Sequence, residues 1–243
     1  MYSCFNIALC AVGNLYVKMT KVLLTDIRKL NDTKIYLLTD QVSSFDGISN
    51  IDIMEFNKAQ FSYHDQLIVA KKALKENDCV LLIDADHKFL SETKIQVTCE
   101  SFDSGCYPEL CFDDEFPWSM RGFLNGENKD VPYGKEFEKF CIENNYDLDG
   151  VKHIQESFLL IKEKDEEKKK RFFEAWEKLS DFCNTKDKNR GRKVLGAGEG
   201  YSLSVALKHA DMKIQDNKDY RNLLSGFRHL RYEKKVDKFE DLW

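Results

Sequence analysis

Phe5 to Val12 is a short apolar run that stops at Gly13-Asn14, the pattern of a buried strand and a turn. In LYVKMTKVLLTDIRKL (15–30), Tyr16, Met19, Val22, Leu23, Ile27 and Leu30 recur at near-helical spacing. KIYLLTD (34–40) and IDIMEF (51–56) read as a second and a third strand. HDQLIVAKKALKEND (64–78) reads as a helix, and Val80 to Ile83, inside NDCVLLIDADHKFL (77–90), as a fourth strand. The order β-α-β-β-α-β predicts an α/β fold with a Rossmann-like, mostly parallel central sheet flanked by helices. Four apolar residues in a row at 80–83 suit a strand covered on both faces.

Periodicity then lapses. Residues 99–135 hold all three prolines, Trp118 and several glycines, which predicts a long irregular connection. Within it, 112–135 is expected to be mobile without ligand and ordered with it, as is the chain from about 226. SFLLIKE (157–163) reads as another buried strand. KDEEKKKRFFEAWEKLSDFC (164–183) reads as an amphipathic helix with Phe172, Phe173, Trp176 and Leu179 inward and its lysines on a solvated face. TKDKNRGRK (185–193) is predicted as a surface loop, GEGYSLSVALKHA (198–210) as a turn opening a helix, and SGFRHLRYEKKVDKF (225–239) as a basic tail.

Composition narrows the function classes. The 243 residues suit one large domain with an ample core. A net charge of −5 argues against a protein built to coat nucleic acid. The eight cysteines form no CxxC pair and no zinc spacing, so free buried thiols in a reducing compartment are expected. No stretch approaches the roughly 18 to 20 apolar residues that cross a bilayer. The opening MYSCFNIALCAVGN lacks a basic n-region and reads as the first strand. A soluble, cytoplasmic protein is the expectation, and oligomeric state is left open.

The chemistry concentrates at the end of the fourth strand. In an open α/β sheet, ligands bind outside the carboxyl ends of the strands, where Asp84 and Asp86 fall. In extended backbone, residues i and i+2 share a side, so the two carboxylates are expected to converge while Ala85 turns away. Two close like charges repel unless a cation lies between them. Oxygen-only ligands suit Mg²⁺ or Mn²⁺ carrying a diphosphate. An ordinary strand-ending turn is the competing reading.

LYVKMTKVLLTDIRKLNDTKIYLLTDQ followed by NDCVLLIDADHKF resembles the GT-A glycosyltransferases that use nucleotide sugars, with its D-x-D motif. The likeness is greatest to the blood-group A/B-type transferases of family 6, with some to the glycogenin-type enzymes of family 8. It covers about residues 5 to 90, lapses, and returns at GAGEGYSLSVALKHADMKI and FRHLRYEKK.

The resemblance implies a nucleotide-binding half (1–98) and an acceptor-binding half (99–243) ending in the basic tail. It implies Mn²⁺, or Mg²⁺, held by Asp84 and Asp86 on the diphosphate of a donor such as a UDP-sugar, with Ala85 between them. It implies base and ribose contacts from Ala11, Val12, Gly13 and Tyr16, and a donor-contacting cation for which Lys71 and Lys72 are candidates. It implies an acid beneath the reactive sugar carbon, which falls on Glu199. The family's preceding acid is here Gly198, so the helix-opening acid is kept and its partner is not. The flanking Gly198 and Gly200 are expected to leave room for a close ligand. Glu156 in HIQESFLL competes for the acid's role, and His153, Gln155 and Glu156 are candidate contacts for acceptor hydroxyls. The tail residues Arg228, Arg231 and Lys234 would fold over the diphosphate, and His229 is a candidate third metal ligand.

The implied activity is transfer of a sugar from a nucleotide diphosphate to a glycan or other hydroxyl acceptor. A nucleotidyltransferase is an alternative, although AVGNLYVK is poor for its glycine-rich basic signature. A non-catalytic carbohydrate- or nucleotide-binding protein on a degenerate transferase fold is another. An aspartyl-phosphate phosphatase would want its D-x-D on the first strand.

Overall fold

The structure, a computed structural model, describes residues 5–30, 32–89, 99–112 and 118–229, with backbone alone at 29, 30, 228 and 229. In chain order its elements are β1 (Asn6–Ala11), α1 (Asn14–Leu30), β2 (Ile35–Thr39), β3 (Ile51–Glu55), α2 (Gln66–Glu76), β4 (Cys79–Asp84) and β5 (His87–Phe89). There follow β6 (Gly105–Pro108), α3 (Met120–Leu124), α4 (Gly134–Glu143), β7 (Phe158–Lys162), α5 (Glu166–Asn189), α6 (Glu199–His209), α7 (Lys218–Ser225) and β8 (Phe227–His229).

Six strands form the central sheet in the order β3-β2-β1-β4-β7-β6. β3, β2, β1 and β4 run parallel, and β7 lies antiparallel between β4 and β6. The sheet is therefore mostly parallel, as expected, with one reversed strand. The chain lays down β1, β2 and β3 in one direction and then returns to place β4 on the other side of β1. Strand order reverses between β1 and β4, and a crevice opens at the carboxyl ends of two such strands.

The continuous apolar runs are explained by two cores. Along β1, Ala8 and Cys10 face one core while Ile7, Leu9 and Ala11 face the other. Along β4, Val80 and Leu82 join the first, and Cys79, Leu81 and Ile83 the second. The first core includes residues of α2, α5 and α6, and the second includes residues of α1 and α7. Strand alternation carries Asp84 onto the face of Val80 and Leu82, opposite its parallel partner Cys10.

Several elements differ from the pattern reading. Residues 185–189 are helical, because α5 continues to Asn189 and breaks only at the Arg190-Gly191 turn, where Gly191 has φ +70°. The extension is held by Asp187, fully buried, whose Oδ2 accepts from the amides of Gly196 and Ala197 at 2.8 and 2.9 Å. The 99–135 stretch holds β6 and α3. β6 ends at Pro108 on the sheet's edge, where a missing N–H costs least. α3 is capped by Ser119 Oγ, which accepts from the Gly122 amide. A small second sheet pairs β5 with β8. Residues 113–117 and the tail beyond His229 lie outside the described residues. Among those described, no helix is long and apolar enough to cross a membrane.

Candidate functional site

Where β1 and β4 end, Cys10, Val12, Leu15, Tyr16, Met19, Phe61, Tyr63, Gln66, Asp84, Ala85 and Asp86 enclose a cleft of ≈ 350 Å³. Both acids of the D-x-D line it, by a different route from the one expected. Asp84 is the last residue of β4, and Ala85-Asp86 form a turn into β5. Both acids therefore reach the cleft from the end of a strand and the turn after it rather than from alternate positions of one strand, and Ala85 lines the cleft with them.

That turn is tied down from several sides. The Asp84 amide donates to the Ser157 carbonyl at 2.8 Å. Nδ1 of the buried His87 lies 3.2 Å from the Asp84 carbonyl and 3.8 Å from Asp86 Oδ1. Gln66, at the start of α2, donates its side-chain amide to Asp84 Oδ1. The segment Ser62–Gln66 is itself fixed by a capping box. Ser62 Oγ accepts from the His64 amide, and Asp65 Oδ2 accepts from the Ser62 amide at 2.9 Å. Lys58 pairs with Asp65.

Glu199 opens α6, as expected from GEG, and is only 2% exposed. Its Oε1 has no hydrogen-bond partner among the described residues. Burial holds its carboxyl well above the usual range, and the nearby charges of Glu156, Asp84 and Asp65 push the same way. The Cys10 thiol is likewise raised, by burial first and then by Asp65, Asp84 and Glu199. Three acids from separate stretches, Asp65, Asp84 and Glu199, thus act on Cys10 near the end of β1, and Glu156 acts on Glu199.

The two glycines beside Glu199 do not leave room for a ligand. A Cβ on Gly200 would stand 2.4 Å from His153 Nε2, 2.5 Å from the Ile154 carbonyl and 2.9 Å from Glu156 Oε2. One on Gly198 would meet the Tyr133 hydroxyl at 2.8 Å. The glycines let the first turn of α6 press onto the 153–156 segment, bringing Glu156 against Glu199's helix. Beside them runs a column of rings. Phe112 stacks on His153 at 4.9 Å, His153 on Tyr201 at 4.1 Å, and Tyr201 on Phe123 at 4.0 Å. Burial pushes His153 down to about 4. Trp118, 54% exposed, meets Phe112 edge-on. Gln155 is turned toward Ser157, its Nε2 donating to Oγ at 2.9 Å.

Other expected residues lie elsewhere. Of the β1–α1 group, Val12 and Tyr16 line the cleft, while Ala11 is fully buried in the α1-side core. Gly13 takes φ +91°, and its amide donates to the Asp40 carboxylate at 3.0 and 3.1 Å. Lys71 pairs with Glu177 on α5 at 3.7 Å and Lys72 with Asp52 on β3 at 2.7 Å, so neither points into the cleft. Arg228 and His229 lie on β8, in register with Lys88 and His87. Arg231 and Lys234 lie outside the described residues. Among the described residues no cluster of three metal-binding side chains forms.

Sequence reasoning missed Gln66, Asp65, Phe61, Tyr63, Leu15 and Met19. Gln66 had a readable signal: a polar residue opening the α2 pattern ahead of Leu67, Val69 and Ala70, and the structure leaves it only 8% exposed. Leu15, Tyr16 and Tyr63 are large apolar side chains left 41–47% exposed, and all three rim the cleft.

No family model and no curated protein matches the chain. Among the solved structures similar to it is the bifunctional glycosyltransferase WbbM in its apo form. That likeness has 12% identity and a TM-score of 0.42, covering 90% of this chain and 46% of WbbM. Another is the apo form of mouse xyloside xylosyltransferase 1, with 9% identity and a TM-score of 0.40, covering 87% of this chain and 85% of that one. The chain spans less than half the length of WbbM.

Proposed function

We propose that this chain is a metal-dependent glycosyltransferase of the GT-A type, taking a sugar from a nucleotide diphosphate, with UDP the favoured carrier, to a hydroxyl on a glycan or other acceptor. The observation that carries this reading is the shared cleft. Asp84 and Asp86 line it at the reversal point of a mostly parallel sheet, together with the apolar rim of Val12, Tyr16 and Tyr63. Two carboxylates are a sufficient protein contribution for Mn²⁺ or Mg²⁺, which commonly keep waters and take substrate phosphates as further ligands. When bound, such an ion neutralises the charge of the departing diphosphate.

The chain's own residues divide the remaining work. Val12 and Tyr16 flank the nucleoside, and Tyr63 supplies a ring for base or ribose. Glu199 feels the charges of Glu156 and Asp84, and this pair of glutamates is assigned to the meeting of acceptor oxygen and sugar carbon. A buried acid held protonated by desolvation ionises more readily when positive charge develops beside it. Glu199 therefore suits an oxocarbenium-like transition state, and Glu156 suits the acceptor hydroxyl. Positioning of the two substrates contributes besides.

A thermal-shift panel of nucleoside diphosphates, with and without Mn²⁺, tests the reading, because a ligand that binds only the folded state raises apparent stability. A shift with UDP or GDP that needs Mn²⁺ is expected. No metal-dependent shift with any nucleotide would overturn it.

A further inference from the structure

We propose that His64 is a positioning residue for Glu199, acting through the Ser202 hydroxyl. The buried His64 ring places Nε2 2.8 Å from Ser202 Oγ, and Ser202 donates its own proton to the Glu199 main-chain carbonyl at 2.8 Å. With that proton committed, Ser202 Oγ is left to accept from His64 Nε2, and this is the tautomer the proposal takes. Nδ1 is left facing Ser62 Oγ at 3.4 Å, and Ser62 in turn donates to Asn184 Oδ1 at 2.7 Å. Burial holds the imidazole neutral, against the weaker opposing pull of its side-chain hydrogen bond with Asn184.

The same ring also supports the turn that leads into α6. Gly196 has φ +89°, and a Cβ there would meet His64 Nδ1 at 2.8 Å and Ser62 Oγ at 2.9 Å. The Glu199 amide donates to the Gly196 carbonyl at 2.9 Å, so the Gly196–Glu199 turn lies directly on the histidine. Beside it, Tyr63 N–H donates to the Leu195 carbonyl and Leu195 N–H to the Phe61 carbonyl. Two residues along the same segment, Gln66 holds Asp84. One short stretch, Ser62 to Gln66, therefore sets the cleft carboxylate Asp84 and the helix-opening acid Glu199 relative to each other. A capping box and a buried imidazole form a rigid link for that purpose.

The turnover arm of the test rests on the proposed glycosyl transfer, and a second arm does not. His64→Leu removes the donor, Ser202→Ala removes the relay, and His64→Gln keeps an amide donor near the Nε2 position. Slow donor hydrolysis is measured with UDP-sugars and Mn²⁺, alongside nucleotide affinity. His64→Leu and Ser202→Ala are expected to lose about ten- to a hundredfold in kcat, the scale of a misplacement near an ångström. KM and nucleotide affinity should stay within about twofold, and His64→Gln should recover most of the rate. Unchanged kcat in both, or loss in all three variants together with affinity, would overturn the proposal.

If the parent neither binds nucleotide nor hydrolyses donor, the transferase reading falls and the second arm decides. The carboxyl ¹³C resonance of Glu199, identified by its loss in Glu199→Gln, should move in His64→Leu and Ser202→Ala and return in His64→Gln. An unmoved resonance would overturn the proposal. Should His64→Leu fail to fold, Ser202→Ala alone carries both arms.

Discussion

Gln66 and Asp84 lie 18 residues apart in the chain and are joined by a hydrogen bond from the Gln66 side-chain amide to Asp84 Oδ1. Through it the first residue of α2 orients the acid that ends β4. Removing the amide leaves a partly buried carboxylate short of a donor, and hydrogen bonds to charged groups contribute about 1.5–3 kcal/mol. Gln66→Ala is expected to lose stability on that scale and about tenfold in Mn²⁺-dependent nucleotide affinity. Chemical denaturation and calorimetry check the two together. Unchanged values in both would mean that Asp84 is held without Gln66.

Glu199→Gln keeps the shape at the start of α6 and removes the acid. Nucleotide affinity should persist while turnover falls by about 10²- to 10⁴-fold, the usual worth of such a group. Donor hydrolysis provides the readout. A rate within a few-fold of the parent would make Glu199 a helix-opening residue alone, and Glu156 would take the role.

The pH dependence of stability has two limbs. A carboxyl raised in the folded state keeps its proton after the unfolded chain has released it at about 4.5. Glu199 therefore contributes stability that is full below that pH and is lost as pH rises toward its folded value. In metal-free buffer, Glu199→Gln should become progressively more stable than the parent as pH rises through this window. On the acid side, burial lowers His64 to about 3 and His153 to about 4, from 6.5. Their contribution is present above 6.5 and is lost as pH falls through those lowered values. Denaturation curves for the parent, Glu199→Gln and His64→Gln across this range should show each slope vanish with its residue.

Two glycine substitutions separate packing from conformation. Gly200→Ala drives a methyl to 2.5 Å from the Ile154 carbonyl, a backbone atom that cannot swing aside. A loss of about 1–3 kcal/mol is expected. Gly13→Ala meets nothing within 4 Å, and its cost is the strain of φ +91° alone, on the order of 1–2 kcal/mol. Thermal unfolding of both proteins checks the comparison, with the larger loss of substrate turnover falling on Gly200→Ala.

The first four strands and both long helices were legible because each is a run or stripe of apolar residues, and burial follows that pattern directly. The place of Asp84 was legible for the same reason: Val80 to Ile83 announce a covered strand, and the acids that follow end it at the cleft. What stayed hidden depends on partners distant in the chain. β5 and β8 are three-residue strands with no periodicity of their own, and they exist by pairing with each other. α4 carries Phe137 and Cys141 at a four-residue spacing, a signal present but short. The glycines of GEG looked like space for a ligand, yet the close approach of His153, Ile154 and Glu156 is visible only once the chain has folded. His64 and Ser202 are separated by 138 residues, and nothing local in either stretch announces their contact.

The central claim is that Asp84 and Asp86 together hold the metal that carries a nucleotide diphosphate, and calorimetry of UDP with and without Mn²⁺ tests it most directly. The parent should bind UDP measurably more tightly with Mn²⁺ than in a chelator, and Asp84→Ala and Asp86→Ala should each abolish that difference while their thermal unfolding stays cooperative. The same metal-dependent gain in affinity in the parent and in both variants would contradict the account.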